Sequence, residues 1–142
     1  MGDSDAIDLA LGALRFRDLS AAELDARLDA RGIECAERHE VLETLARAGY
    51  VSDERLAHTR AAALAERGCG DALIRVDLEG RGVASELVGR ALETLEAERV
   101  RAERVAARRG WSPATIRYLA ARGFSEEALE TFVARGVDGA IG

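Results

Sequence analysis

One phrase recurs three times in this chain: an amphipathic run that closes on Arg-Gly followed by an apolar residue. The copies are Arg31-Gly32-Ile33, Arg81-Gly82-Val83 and Arg122-Gly123-Phe124, and each has a leucine (Leu28, Leu78, Leu119) five positions before its apolar residue. This is the chemistry of a Schellman helix end. Glycine takes the left-handed C′ position, and the apolar side chain after it folds back onto the last turn. Gly49-Tyr50 looks back to Leu45, Gly68-Cys69 to Leu64, Gly110-Trp111 to Ala106 and Gly136-Val137 to Phe132. Seven helix ends are therefore expected, and the recurrence implies one helical unit used about three times.

The spacing predicts a first helix over about Asp5 to Arg17. A second is expected after the capping box Ser20-Ala21-Ala22-Glu23, and a third over about Ala36 to Ala48. Ser52 caps the next, which runs to about Arg67. Asp71 to Arg81 then leads to a helix capped by Ser85. Only Gly89 interrupts the pattern between Ser85 and Arg109, which predicts one long or bent helix. Ser112-Pro113 sets serine at N-cap and proline at N1, and Ser125 caps the last helix with Glu126 and Glu127 in its first turn.

The fold class read from this pattern is all-α. Three tandem three-helix modules, at residues 5–49, 50–97 and 98–135, form an elongated, curved helical-repeat array with a frayed tail over 136–142. Modules this small bury little surface alone, so neighbours must lean on one another. Comparing them directly, Ala72-Leu73-Ile74-Arg75 corresponds to Ala114-Thr115-Ile116-Arg117.

Composition enters through charge. The formal net charge is −6, which argues against a polyanion binder acting through bulk charge. The charge is segregated, however. Residues 1–50 carry 11 acids and 6 bases, residues 51–98 carry 10 and 6, and residues 99–142 carry 5 and 8. Every base is arginine, whose forked donors suit phosphate and carboxylate. Arg99, Arg101, Arg104, Arg108 and Arg109 fall within eleven residues, and helical spacing puts Arg101, Arg104 and Arg108 on one face. Arg117 and Arg122 extend that set. It reads either as a solvated helix face or as a site for nucleic-acid phosphates or an acidic protein groove.

Catalytic and metal patterns are not found. There is no lysine to complete a phosphate-binding loop, and Gly68-Cys69-Gly70 is too short to cradle a pyrophosphate. Cys35 and His39 stand at i and i+4 without a second ligand pair. Trp111 reads as a core anchor. Two cysteines suit a reducing compartment, no stretch reaches membrane-span length, and a cytoplasmic monomer that binds rather than catalyses, without cofactor, is expected.

Three segments then carry a likeness. Leu19-Ser20-Ala21-Ala22-Glu23-Leu24, Gly49-Tyr50-Val51-Ser52-Asp53-Glu54-Arg55-Leu56-Ala57 and Arg122-Gly123-Phe124-Ser125 resemble the RecX family of bacterial recombination regulators, over roughly Ile7 to Arg135. The resemblance implies tandem three-helix repeats that lie in the groove of the RecA–single-stranded-DNA filament and modulate RecA, most often by inhibition. It departs after the Gly68-Cys69-Gly70 turn, where Asp71 and Asp77 stand in a stretch that is often basic, and at Leu56, where an aromatic residue is common. Contact with RecA protein thereby gains weight over direct DNA contact by the middle module. The candidates for nucleic-acid or filament binding are Arg99, Arg101, Arg104, Arg108, Arg109, Arg117 and Arg122, with Arg101, Arg104, Arg108, Arg117 and Arg122 the ones expected to touch DNA. Two other classes stay open: a helical-repeat adaptor with no nucleic-acid role, and a helix-turn-helix regulator of duplex DNA, for which the candidate helices begin with acids or alanines rather than bases.

Overall fold

Capping residues and glycines divide the polypeptide into helices of nine to fourteen residues. The structure, a computed structural model, describes residues 3–137, and helices account for all of its regular elements there. They are α1 (Asp3–Leu14), α2 (Ala21–Ala30), α3 (Cys35–Arg47), α4 (Asp53–Glu66), α5 (Asp71–Gly80), α6 (Ser85–Glu93), α7 (Glu98–Arg109), α8 (Pro113–Ala121) and α9 (Glu126–Ala134). The frayed tail expected over 136–142 lies, beyond Val137, outside the described residues.

All seven glycines assigned to helix ends adopt positive φ, between 78° and 101°. Six close as Schellman motifs. The Ile33, Tyr50, Cys69, Val83, Phe124 and Val137 amides donate to the carbonyls of Leu28, Leu45, Leu64, Leu78, Leu119 and Phe132, at 2.9 to 3.1 Å. Gly110 departs. Its ψ is 150°, so the chain turns outward after one bond from its amide to the Ala106 carbonyl. Trp111 is thereby aimed at Phe132, with ring centroids 4.8 Å apart, and is only partly buried.

The other N-termini follow the sequence closely. Ser20 forms the full capping box with Glu23, and Ser52, Ser112 and Ser125 accept the amides of Arg55, Thr115 and Ala128. Each such cap contributes about 1 kcal/mol. Ser85 does not cap: Ala84 is the N-cap of α6 and Ser85 is its first helical residue.

Two expectations about helix length fail. The first helix stops at Leu14, short of Arg17. The long helix expected from Ser85 to Arg109 is two, because α6 ends at Glu93 and α7 begins at Glu98. The break falls at Thr94, whose hydroxyl donates to the Ala91 carbonyl at 2.6 Å, and it is made without any glycine.

Burial falls into three separate clusters. Leu24, Leu28, Val41 and Leu45 of α2 and α3 pack with Ala6 and Ala10 of α1. Leu56, Ala61, Ile74, Leu78 and Val88 unite α4, α5 and α6. Ala102, Val105, Ile116, Leu119, Leu129 and Phe132 unite α7, α8 and α9. Each fully buried leucine, isoleucine or phenylalanine stabilises its triplet by about 1.5–3 kcal/mol. The alanines let the helices approach closely. Val133, beside the buried Phe132 on α9, is exposed.

Candidate interaction surface and the joints between triplets

The middle helix of each triplet ends on one of the Arg-Gly phrases, and two of those ends dock on the middle helix of the triplet before. At the first joint, Arg81 closes α5 and meets the N-terminus of α2. Its guanidinium forks onto the Glu23 carboxylate at 2.9 and 3.1 Å and donates to the Asp18 carbonyl at 2.9 Å. Its own carbonyl accepts the buried Ser20 hydroxyl at 2.5 Å. Gly82 packs so tightly over Ala22 that a Cβ there would stand 2.5 Å from the Ala22 Cβ.

The second joint repeats the arrangement one triplet further on. Arg122 closes α8 and meets the N-terminus of α5. The Gly70 and Ala72 amides donate to the carbonyls of Arg122 (2.7 Å) and Gly123 (3.2 Å). The Arg122 guanidinium donates to the carbonyls of Gly68 and Arg67 at 3.2 and 2.8 Å. A Cβ on Gly123 would lie 2.6 Å from the Leu73 nitrogen, and one on Gly70 would lie 2.4 Å from the Gly123 carbonyl carbon.

An acid opening the next triplet completes each joint. Asp53, the first residue of α4, accepts the Ala21 amide at 2.8 Å; Glu98, the first residue of α7, accepts the Asp71 amide at 2.7 Å. Both carboxylates satisfy an N1 donor that no helix can satisfy internally. Glu98 also accepts the Ser125 amide and hydroxyl, so it ties α5, α7 and α9 together.

The seven arginines expected on a binding face divide into structural and accessible groups. Arg101 and Arg122 have their guanidinium groups engaged within the second joint. Arg101 is only 7% exposed. It donates to the Cys69 and Glu96 carbonyls at 2.9 and 3.0 Å, pairs with the Asp71 carboxylate and lies over the Phe124 ring. The physical reason is its register: it sits on the edge of α7 that faces the α4–α5 turn, where backbone carbonyls converge.

The remaining five are at the surface. Arg99 pairs with Glu103 at 3.4 Å and Arg104 with Glu96 at 2.7 Å. The hydrogen bond from Arg104 is the main cause that holds the Glu96 carboxyl below its usual range, and Arg104 is correspondingly raised. Arg109 stacks on Tyr118 with its guanidinium carbon 3.7 Å from the ring centroid. Arg108 and Arg117 are exposed and make no side-chain hydrogen bond or ion pair among the described residues. Arg101, Arg104 and Arg108 do share one face, around a cavity of about 170 Å³ against Glu66 and Gly68. Sequence reasoning missed Arg81, Asp53 and Glu98 as working residues. The signal was available in the arginine that precedes glycine in every copy of the phrase.

Helix triplets stapled end to end through their own capping groups define an all-α helical-repeat architecture. Comparison with known proteins gives that class a family. The chain is 31% identical over 133 residues to the regulatory protein RecX of Stenotrophomonas maltophilia (strain R551-3), spanning 94% of this chain and 80% of that protein. It is 36% identical over 92 residues to the regulatory protein RecX of Xanthomonas campestris pv. campestris (strain B100), spanning 65% of this chain and 57% of the relative. The crystal structure of RecX from Lactobacillus salivarius superposes with a TM-score of 0.79 at 18% identity, covering 94% of this chain and 95% of that one. No family model matches the sequence. The chain belongs to the RecX family.

Proposed function

We propose that this protein binds the RecA–single-stranded-DNA filament in the cytoplasm and restrains RecA's strand exchange, ATP hydrolysis and co-protease activity. Family membership over nearly the whole chain carries the reading. The two joints support it, because they hold three triplets, taken as residues 5–49, 50–97 and 98–135, in fixed sequence. An elongated, curved monomer of that kind would lay successive helix faces along a helical groove and bridge neighbouring RecA subunits.

Charge supports a division of labour. The first two triplets are acidic and suit protein contacts, whereas the third carries the excess of arginine. Arg104, Arg108, Arg109 and Arg117, with Arg99 at the edge, are the residues proposed to meet phosphate. Arginine forks in such a position bind oxyanions bidentately, and their contribution weakens as salt rises.

Co-sedimentation tests the proposal. The protein should pellet with RecA assembled on single-stranded DNA and should slow RecA's DNA-dependent ATP hydrolysis. It should remain largely in the supernatant with the DNA alone. Absence from the filament pellet, with RecA turnover unchanged, would overturn the reading and leave an adaptor for another protein.

A further inference from the structure

The Arg-Gly device occurs three times, and only two copies are engaged within the described residues. Gly82 and Gly123 are pressed against the preceding triplet, yet a Cβ on Gly32 would meet nothing within 4 Å. Arg31 is exposed and makes no side-chain hydrogen bond or ion pair among the described residues. The backbone there is already set as in the two joints. Gly32 has φ 82°, and the Arg31 cap has φ −93° and ψ 7°, against −89° and 3° at Arg81 and −92° and 11° at Arg122.

A second observation lies beside it. A groove of about 520 Å³ runs between α1 and α2, lined by Asp8, Leu9, Phe16, Leu28, Arg27 and Arg31. Phe16 on its rim is 86% exposed, so the apolar lining of the groove continues onto an open aromatic face. Two arginines against the single Asp8 leave the apolar groove with an excess of cationic groups, which suits a partner that brings both carboxylate and apolar surface.

From these facts we infer that Arg31-Gly32 and the adjoining groove form a docking end for the N-terminus of a helix in a partner protein. The required helix follows from the two joints. It has small residues at N-cap and N2, as in Ser20 and Ala22 or Gly70 and Ala72. It keeps a free N–H at N1, as in Ala21 and Asp71, and, as at the first joint, an acid in its first turn that meets the arginine, as Glu23 meets Arg81. A second copy of this chain fits poorly. The α2 and α5 N-termini are occupied, and α8 offers proline at N1, no acid in its first turn, and exposed Arg108, Arg109 and Arg117 nearby. Pro113 removes the very donor that Asp53 and Glu98 accept at the other two N-termini. The docking end is defined by the internal repeat, and it holds whether or not RecA supplies the helix.

The test uses the full chain and a fluorescent, lactam-stapled peptide copying residues 18–30, which carries Ser20, Ala22 and Glu23 in the right register. Fluorescence anisotropy should show saturable binding. It should weaken about tenfold or more with Arg31→Glu in the protein or Glu23→Lys in the peptide, and stay unchanged with Arg108→Glu. Circular dichroism confirms that the exposed Arg31→Glu variant is folded. Absence of saturable binding, or equal binding by Arg31→Glu, overturns the inference. So does self-association of the full chain in sedimentation velocity that Arg31→Glu abolishes, which would make a second copy the occupant.

Discussion

Replacing four glycines by alanine separates backbone conformation from close packing, because the structure distributes those two demands differently among them. Gly32 has positive φ and open space; Gly70 has φ −81° but a Cβ position 2.4 Å from backbone atoms of Gly123 and Phe124; Gly123 carries both constraints. Gly82 also carries both, although its neighbour is the Ala22 Cβ. Left-handed backbone costs alanine about 1 kcal/mol relative to glycine. A Cβ forced into backbone at such distances costs about 1–3 kcal/mol in displaced structure. Gly32→Ala should therefore cost about 1 kcal/mol, Gly70→Ala about 1–3, and Gly82→Ala and Gly123→Ala about 2–4 each. At this chain length each kcal/mol lowers the thermal midpoint by about 4 °C. Native-state hydrogen exchange should localise the Gly70 and Gly123 effects to amides around the second joint, including those of Gly70 and Ala72. Equal destabilisation by Gly32→Ala and Gly123→Ala would refute the claim that tight packing distinguishes the joints from the free end.

Arg81→Ala removes the fork on Glu23 and should destabilise the first joint by about 1.5–3 kcal/mol in urea unfolding, whereas Arg31→Ala should stay within about 0.5. Burial opposes ionisation of Glu23, yet the Arg81 hydrogen bonds, the Ser20 amide and the charges of Arg81 and Arg17 hold its carboxyl below the usual range. That contribution is present above the ordinary glutamate pKa and is lost as pH falls through the lowered value. The fall in thermal midpoint below about pH 4.5 should accordingly be shallower in Glu23→Gln. Arg101→Ala should cost about 2–4 kcal/mol, by stripping the Cys69 and Glu96 carbonyls and leaving Asp71 unpaired, and should not be rescued by Arg101→Lys, which lacks the fork. The triple variant Arg104→Glu, Arg108→Glu, Arg117→Glu should unfold within about 1 kcal/mol of the parent. Its binding to the RecA filament should be weaker, with a salt dependence flattened by about 0.7 per lost phosphate contact.

The helix ends were legible because their causes are local. A glycine, the apolar residue after it and the apolar residue five before that one are close neighbours in the chain, and seven such sets located seven ends. The break at Thr94 was not legible, since a threonine hydroxyl bonding back to Ala91 leaves no more trace than any other threonine in a helix. Gly110 was misread as a Schellman end because the sequence shows the glycine and the apolar neighbour but not ψ. The arrangement of the arginines was legible only in part. Helical spacing grouped Arg101, Arg104 and Arg108 correctly, but burial of Arg101 depends on the α4–α5 turn thirty residues earlier. The joints show what repetition can reveal beyond periodicity. A Schellman end requires glycine and an apolar residue and has no use for the arginine before them. Its recurrence was the unexplained part of the phrase, and the structure accounts for two of the three copies, Arg81 through Glu23 and Asp18 and Arg122 through Arg67 and Gly68.

RecA's DNA-dependent ATP hydrolysis on single-stranded DNA, titrated with this protein and with a folded Gly70→Ala, Gly123→Ala double variant, tests most directly whether a locked array of triplets restrains the filament. The account predicts saturable slowing by the parent and marked loss of that slowing when the second joint is wedged open. Undiminished inhibition by the double variant would contradict the role given to the joint, and a turnover rate indifferent to the parent would contradict the function itself.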